Sequence, residues 1–144
     1  MMNHYAALAQ EIAAAVKFLG SVPSSEARNQ LAQARIFCLP SVTARNGDAE
    51  GLGLALIEAP ACGVPVVASA RGGATEGILD GVSGYAFAEG DVTTLYTRLM
   101  RLSQQDDEAE AISHAGPTFV AERFDINSCT RAPEDLYDVL APGW

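Results

Sequence analysis

The sequence predicts an α/β domain, a Rossmann-like parallel sheet of about four strands with flanking helices. Three observations predict it. Short apolar, β-branched runs alternate with longer stretches of helical period. The run VPVVAS is apolar throughout, the pattern of a parallel strand covered on both faces. Glycine and proline punctuate the boundaries between runs. Hydrophobic residues make up 49% and charged residues 19% of 144 positions, so one domain can bury a sizeable core and wholesale disorder is excluded.

The elements follow in order. An Ala-rich pattern over about residues 4–15, with Tyr5, Leu8, Ile12 and Ala15 on one face, predicts a helix. AVKFLG, ended by Gly20, predicts a first strand. SSEARNQLAQA supplies a capping serine and a second helix. RIFCLPS predicts a second strand, stopped by Pro40, and VTARNGDAEG a polar loop. LGLALIEAPACG has helical length and a glycine stop at Gly63, with Pro60 as a kink inside it. VPVVAS is the third strand. ARGGATEGILDGVSG is a glycine-rich segment with one helical turn near Thr75 to Leu79. YAFA is a short fourth strand. GDVTTLYTRLMRLSQ predicts an amphipathic helix with Val92, Leu95, Leu99 and Leu102 on its apolar face. Two more helices are expected over about 106–122 and 125–140, with Pro117 and Pro133 interrupting or starting them.

Bulk chemistry narrows the function. Eighteen acidic residues against nine Lys and Arg give a formal charge of -9, which argues against nucleic acid or an anionic membrane as partner. The three cysteines, Cys38, Cys62 and Cys129, have no metal-ligand spacing. Cys38 and Cys62 lie in apolar runs and read as small core residues, consistent with a reducing cytoplasm. No stretch resembles a signal peptide or approaches the roughly 20 apolar residues of a transmembrane helix. A cytoplasmic location is the expectation. His4 and His114 read as surface residues, and no cluster offers metal ligands.

EGLGLALIE poses the functional question, because Glu50 and Glu58 bracket seven small or apolar residues. On a helix, eight residues place them about 80° apart and roughly 12 Å along the axis. Both carboxylates then border one side. Gly51 and Gly53 lie at the helix start, where backbone N–H groups collect anions and no side chain blocks approach. A carboxylate accepts two hydroxyl hydrogens and suits a vicinal diol. Sugar, diphosphate and ribose in a row describe a nucleotide sugar. Plainer roles fit the same spacing: helix-dipole electrostatics for Glu50, worth about 0.3–1 kcal/mol, and an exposed helix position for Glu58. Gly63 and Pro65 read as turn chemistry. Gly72 and Gly73 fit a tight turn or a donor approach equally, Glu76 a helix-start acid or a residue near the site, and Arg45 and Asp48 solvated loop charges.

The stretch EGLGLALIEAPACGVPVVAS resembles the E-x7-E signature of the group 1 family of retaining glycosyltransferases, usually EGFG…LEAMACGxPVVAS. The resemblance continues through VKFLGSVP, ARIFCLPS and RNGDAEG upstream and GGATEGILDGVSGYAF and GDVTTLYTRL downstream, covering roughly residues 5–105 in the family's order. It implies a donor-binding, C-terminal domain of a two-domain GT-B fold that transfers a hexose from a nucleoside-diphosphate sugar with retention. By motif, Glu50 stabilises charge at the donor hexose. The backbone of Gly51, Leu52, Gly53 and Leu54 contacts sugar hydroxyls and the β-phosphate. Glu58 holds the ribose diol, and Val22 and Pro23 lie beside the nucleobase. Leu52 stands where an aromatic is commoner, a small change for a backbone contact. No metal or cofactor is implied beyond the donor substrate.

The family's GR…KG block, which supplies cationic charge to the leaving diphosphate, has no counterpart here. Neither have the first two strands or the acceptor domain. The expectation is therefore a single partial donor-binding domain over residues 1–144, with little or no transferase activity alone, acting with an acceptor-domain chain. In a sheet of order 3-2-1-4-5-6 the missing strands lie in the middle. The strands AVKFLG and RIFCLP are then expected to pair directly, or a homodimer to complete the sheet. The alternative function is a non-catalytic nucleotide-binding or protein-interaction α/β module. An unrelated nucleotide-binding enzyme would need another phosphate loop, and no G-x-G-x-x-G follows a strand.

Overall fold

The computed structural model describes residues 9, 16–49, 51–69 and 71–140. The described elements are α1 (Ser24–Ala32), β1 (Phe37–Leu39), α2 (Ala55–Ala61), β2 (Val66–Ser69), a 3-10 helix (Gly72–Gly77), β3 (Gly84–Phe87), α3 (Val92–Gln104), α4 (Asp106–Phe124) and α5 (Ile126–Leu140). The helix expected over residues 4–15 lies outside the described residues, Ala9 excepted.

The strands form one parallel sheet in the order β1-β2-β3. Phe37 pairs with Val66, and Val66 with Gly84. The central strand explains the unbroken apolar run. Val66 and Ala68 join Leu56, Ala59, Val64, Ala74 and Ile78 on one face. Val67 joins Tyr85, Phe87, Leu102, Ala109 and Ile112 on the other. The period-2 alternation thus feeds two apolar layers. Gly84 is required by the pairing, since a Cβ there would fall 2.0 Å from the Val66 oxygen.

Four expectations are corrected. Among the described residues, Val16–Gly20 is not a strand and does not pair with β1, and the sheet has three strands. Phe18 and Leu19 are 46% and 40% exposed, and an apolar run without a ladder partner lacks the hydrogen bonds that make it a strand. Pro117 and Pro133 interrupt nothing, lying inside α4 and α5. Packing of α4 on α2 and of α3 on α4 outweighs the local cost of Pro117. Val92 does not share the buried face of α3: it sits at the first helical position, 72% exposed, while Leu102 is fully buried. Cys38 and Cys62 are exposed rather than core. Cys38 points away from the face that buries Phe37 and Leu39, and Cys62 caps the end of α2.

Candidate functional site

The carboxyl ends of the three parallel strands set the frame, because ligands of open α/β sheets bind in the crevice outside those ends. Three loops leave there and are tied together. Glu89, after β3, accepts from the Thr43 backbone N–H at 2.8 Å and from the Thr43 hydroxyl at 2.9 Å. It also accepts from Arg71, after β2, at 2.7 Å. The Thr43 N–H, then the Arg71 guanidinium and the Thr43 hydroxyl, hold the Glu89 carboxyl below the usual glutamate range. The Ser69 hydroxyl donates to the Ser41 carbonyl at 2.7 Å, closing the same end of β1 against β2. Sequence reasoning missed Arg71 and Glu89. Their signal was position: each is the first charged residue after an apolar strand.

The loop Gly51–Leu54 precedes α2 rather than beginning it, so the expected helical spacing of Glu50 and Glu58 does not hold. Gly53 has φ +63, a left-handed conformation that side chains resist. It breaks the helix and turns the backbone into a loop. Among the described residues, the N–H groups of Leu52, Gly53 and Leu54 donate to no protein acceptor. Leu54 is 71% exposed. The 3-10 helix packs onto this loop through Gly73, whose Cβ position lies 3.0 Å from the Leu52 nitrogen and 3.1 Å from the Gly51 carbonyl carbon. Gly77, further along the same 3-10 helix, approaches α2 instead, its Cβ position lying 3.0 Å from the Leu56 Cβ. Gly73 is thus a packing glycine against the loop, a role that the sequence reading, a tight turn or a donor approach, did not include. Glu76 is exposed on the same helix.

Glu58 lies in the first turn of α2 and is exposed. Its N–H donates to the Leu54 carbonyl at 2.9 Å, and its carboxylate has no hydrogen-bond or ion-pair partner among the described residues. It borders an open pocket of about 240 Å³ that α1 closes from the other side with Ser24 and Ala27. Pro23, the residue capping α1, immediately precedes Ser24, and Val22 beside it is half-buried. The fold therefore brings the start of α1 and Glu58 to one pocket although 34 positions separate Ser24 from Glu58 (58 minus 24). Glu50 lies outside the described residues.

Downstream of Glu58 the helix stop works as expected. Gly63 has φ +72, its N–H donates to the Pro60 carbonyl, and the Val64 N–H donates to the Ala59 carbonyl. This is the double bond pattern of a Schellman stop. Arg45 and Asp48 are exposed in the loop, whose turn is closed by Ala44 N–H to the Asp48 carbonyl at 2.7 Å. His114 is exposed, 3.6 Å from Glu110. Among the described residues no group of three or more His, Cys, Asp or Glu side chains is placed to hold a metal ion, and no helix is long and apolar enough to cross a membrane.

Comparison with known proteins gives this geometry a family. The chain is 39% identical over 126 residues to the amylovoran biosynthesis glycosyltransferase AmsK of Erwinia amylovora, covering 88% of this chain and 31% of that protein. It is 39% identical over 114 residues to a GDP-mannose-dependent monoacylated alpha-(1-6)-phosphatidylinositol monomannoside mannosyltransferase of Corynebacterium glutamicum, covering 78% and 30%. The chain thus spans about a third of the length of these relatives. Sucrose-phosphate synthase from Thermosynechococcus elongatus superposes with a TM-score of 0.77 at 25% identity, over 96% of this chain and 34% of that one. Anabaena HepE, solved in complex with UDP-glucose, gives 0.74 at 24% identity over 96% and 37%, a likeness of fold. The fold is the Rossmann-like α/β layer of the GT-B glycosyltransferases. A model of the family described as glycosyl transferases group 1 matches residues 3–119, and the chain belongs to that family.

Proposed function

We propose that this chain holds the donor of a hexosyl transfer from a nucleoside-diphosphate sugar, with retention of configuration. The observation that carries the reading is that, among the described residues, neither the Glu58 carboxylate nor the N–H groups of Leu52, Gly53 and Leu54 have a protein partner. A carboxylate beside free amide donors suits a ligand with a diol next to an anion. In this reading Glu58 takes the ribose diol. The backbone of Gly51, Leu52, Gly53 and Leu54 takes the diphosphate and sugar hydroxyls. Glu50 faces the hexose, and Val22 and Pro23 flank the base. The family and the GDP-mannose-dependent name of a relative support this donor class. Turnover needs an acceptor side besides these residues, from a further chain or domain, and a second copy pairing along β1 is one arrangement that extends the sheet. The donor class needs no metal or other cofactor in this proposal.

Calorimetry with GDP-mannose and UDP-glucose tests the donor reading. A carboxylate hydrogen-bonded to hydroxyls contributes about 1.5–3 kcal/mol, so Glu58→Ala is expected to weaken binding roughly tenfold to a hundredfold. Equal affinity in the wild type and the variant removes Glu58 from the site. Absence of binding of either sugar at millimolar concentration removes the donor reading itself.

A further inference from the structure

The pocket beside Glu58 carries a second charge that the family motif does not use. Arg28, on α1, lines it opposite α2 and is exposed. Its guanidinium has no hydrogen-bond or ion-pair partner among the described residues. Two opposite charges border one pocket without reaching each other, although an arginine and a glutamate within 4 Å would pair. The floor between them is apolar: Leu31 and Phe37 pack against the core with one side and leave the other half-exposed to the pocket. At about 240 Å³ the pocket falls just short of the roughly 300–1,000 Å³ that encloses a whole small ligand, so it takes part of one. An apolar floor of Leu31 and Phe37 with an acceptor-seeking fork on one rim and a diol-seeking carboxylate on the other fits a nucleoside.

We propose that Arg28 is the specificity-determining residue for the nucleobase and that it selects guanine. This rests on the donor reading above. A guanidinium presents two parallel N–H donors in a fixed fork and is satisfied by two adjacent acceptors on one planar edge. Guanine offers O6 and N7 side by side. Adenine puts an amino donor beside N7, and uracil flanks its O4 with a ring N–H. Of the three common bases only guanine meets the fork twice.

Calorimetric titration of the full chain with GDP, UDP and ADP tests this. GDP is expected to bind tightest, by about tenfold to a hundredfold over ADP. Arg28→Ala is expected to bring the three nucleotides level, and Arg28→Lys to recover little of the preference, because the charge returns without the fork. Glu58→Ala is expected to weaken all three alike. A ligand-side control needs no variant: 7-deaza-GDP, with a C–H in place of N7, is expected to lose most of the preference on the wild-type chain. Circular dichroism checks that each variant is folded. Equal binding of the three nucleotides to wild type, or a guanine preference unchanged in Arg28→Ala, overturns the proposal while leaving Glu58 and the donor reading in place. If no nucleotide binds, both fall together.

Discussion

Replacing Gly73 by alanine separates the loop's shape from its chemistry. Gly73 has no left-handed φ, so the substitution carries no backbone strain of its own. The added Cβ would stand 3.0 Å from the Leu52 nitrogen and 3.1 Å from the Gly51 carbonyl carbon, about 0.4 Å inside the 3.4 Å where ordinary van der Waals contact begins. Both obstacles are backbone, so no side chain can swing away. The loop Gly51–Leu54 or the 3-10 helix must shift by a few tenths of an ångström. Overpacking costs about 1–3 kcal/mol, and Gly→Ala returns about 0.4–1 kcal/mol through the unfolded chain, leaving a net loss of up to about 2.5 kcal/mol. The exposed loop yields more easily than the packed sheet, which favours the lower end. A displaced loop re-aims the amides of Leu52 and Gly53. Losing one such hydrogen bond costs about 0.5–1.5 kcal/mol, or roughly twofold to twelvefold in affinity. Gly51→Ala is the comparison, because its Cβ would meet nothing within 4 Å of the protein. Thermal melts and GDP titration read both variants. Gly73→Ala is expected to lower the melting temperature and the affinity together; Gly51→Ala is expected to lower the affinity alone. Wild-type GDP affinity in a Gly73→Ala chain that melts several degrees lower would refute the link between this contact and the donor loop.

Three further outcomes follow from single contacts. Asp91 caps α3 by accepting from the Thr94 N–H at 2.9 Å and the Thr94 hydroxyl, so Asp91→Ala is expected to cost about 0.5–2 kcal/mol in urea unfolding. Glu89 is held below the ordinary glutamate range by the Thr43 N–H first, so its contribution is complete above about pH 4.3 and is lost as pH falls through its lower folded value. Melts from pH 7 to 3 are expected to fall less steeply for Glu89→Gln than for wild type, and parallel acid limbs would contradict this. Gly116 packs α4 on α2, with its Cβ position 2.8 Å from the Pro60 oxygen, so Gly116→Val is expected to destabilise the chain by about 1–3 kcal/mol, measured in the same urea series.

Much of the fold was legible because local patterns and tertiary environment agree. VPVVAS is apolar at every position because β2 lies in the middle of the sheet with a layer on each face. Gly63 ends α2 with the hydrogen bonds its conformation permits. Where they disagreed, the missing information was a partner. Val16–Gly20 has a strand's composition but no neighbouring strand among the described residues. Pro117 has a helix breaker's chemistry, yet α4 continues past it. Ala109, Ile112, Gly116 and Phe119 are buried on both sides of that point, and tertiary burial outweighs one missing N–H.

The site shows the same division more sharply. Residue types at Glu58 and Gly51–Leu54 stood out in the sequence as candidates, since a carboxylate suits a diol and bare amides suit an anion. Their arrangement was not. A helix from Glu50 would have set the two glutamates on one rigid face, but the left-handed Gly53 starts α2 only at Ala55. The loop before it is then held by something other than helical hydrogen bonds. Gly73 supplies that hold by close approach, and close approach leaves no mark in sequence except a missing side chain. Arg28 was silent for a related reason. Within SSEARNQLA it is one polar residue among several on an exposed helix. It acquires meaning only when α1 folds across Phe37 and faces Glu58, a juxtaposition of residues 30 positions apart (58 minus 28) that no spacing rule encodes.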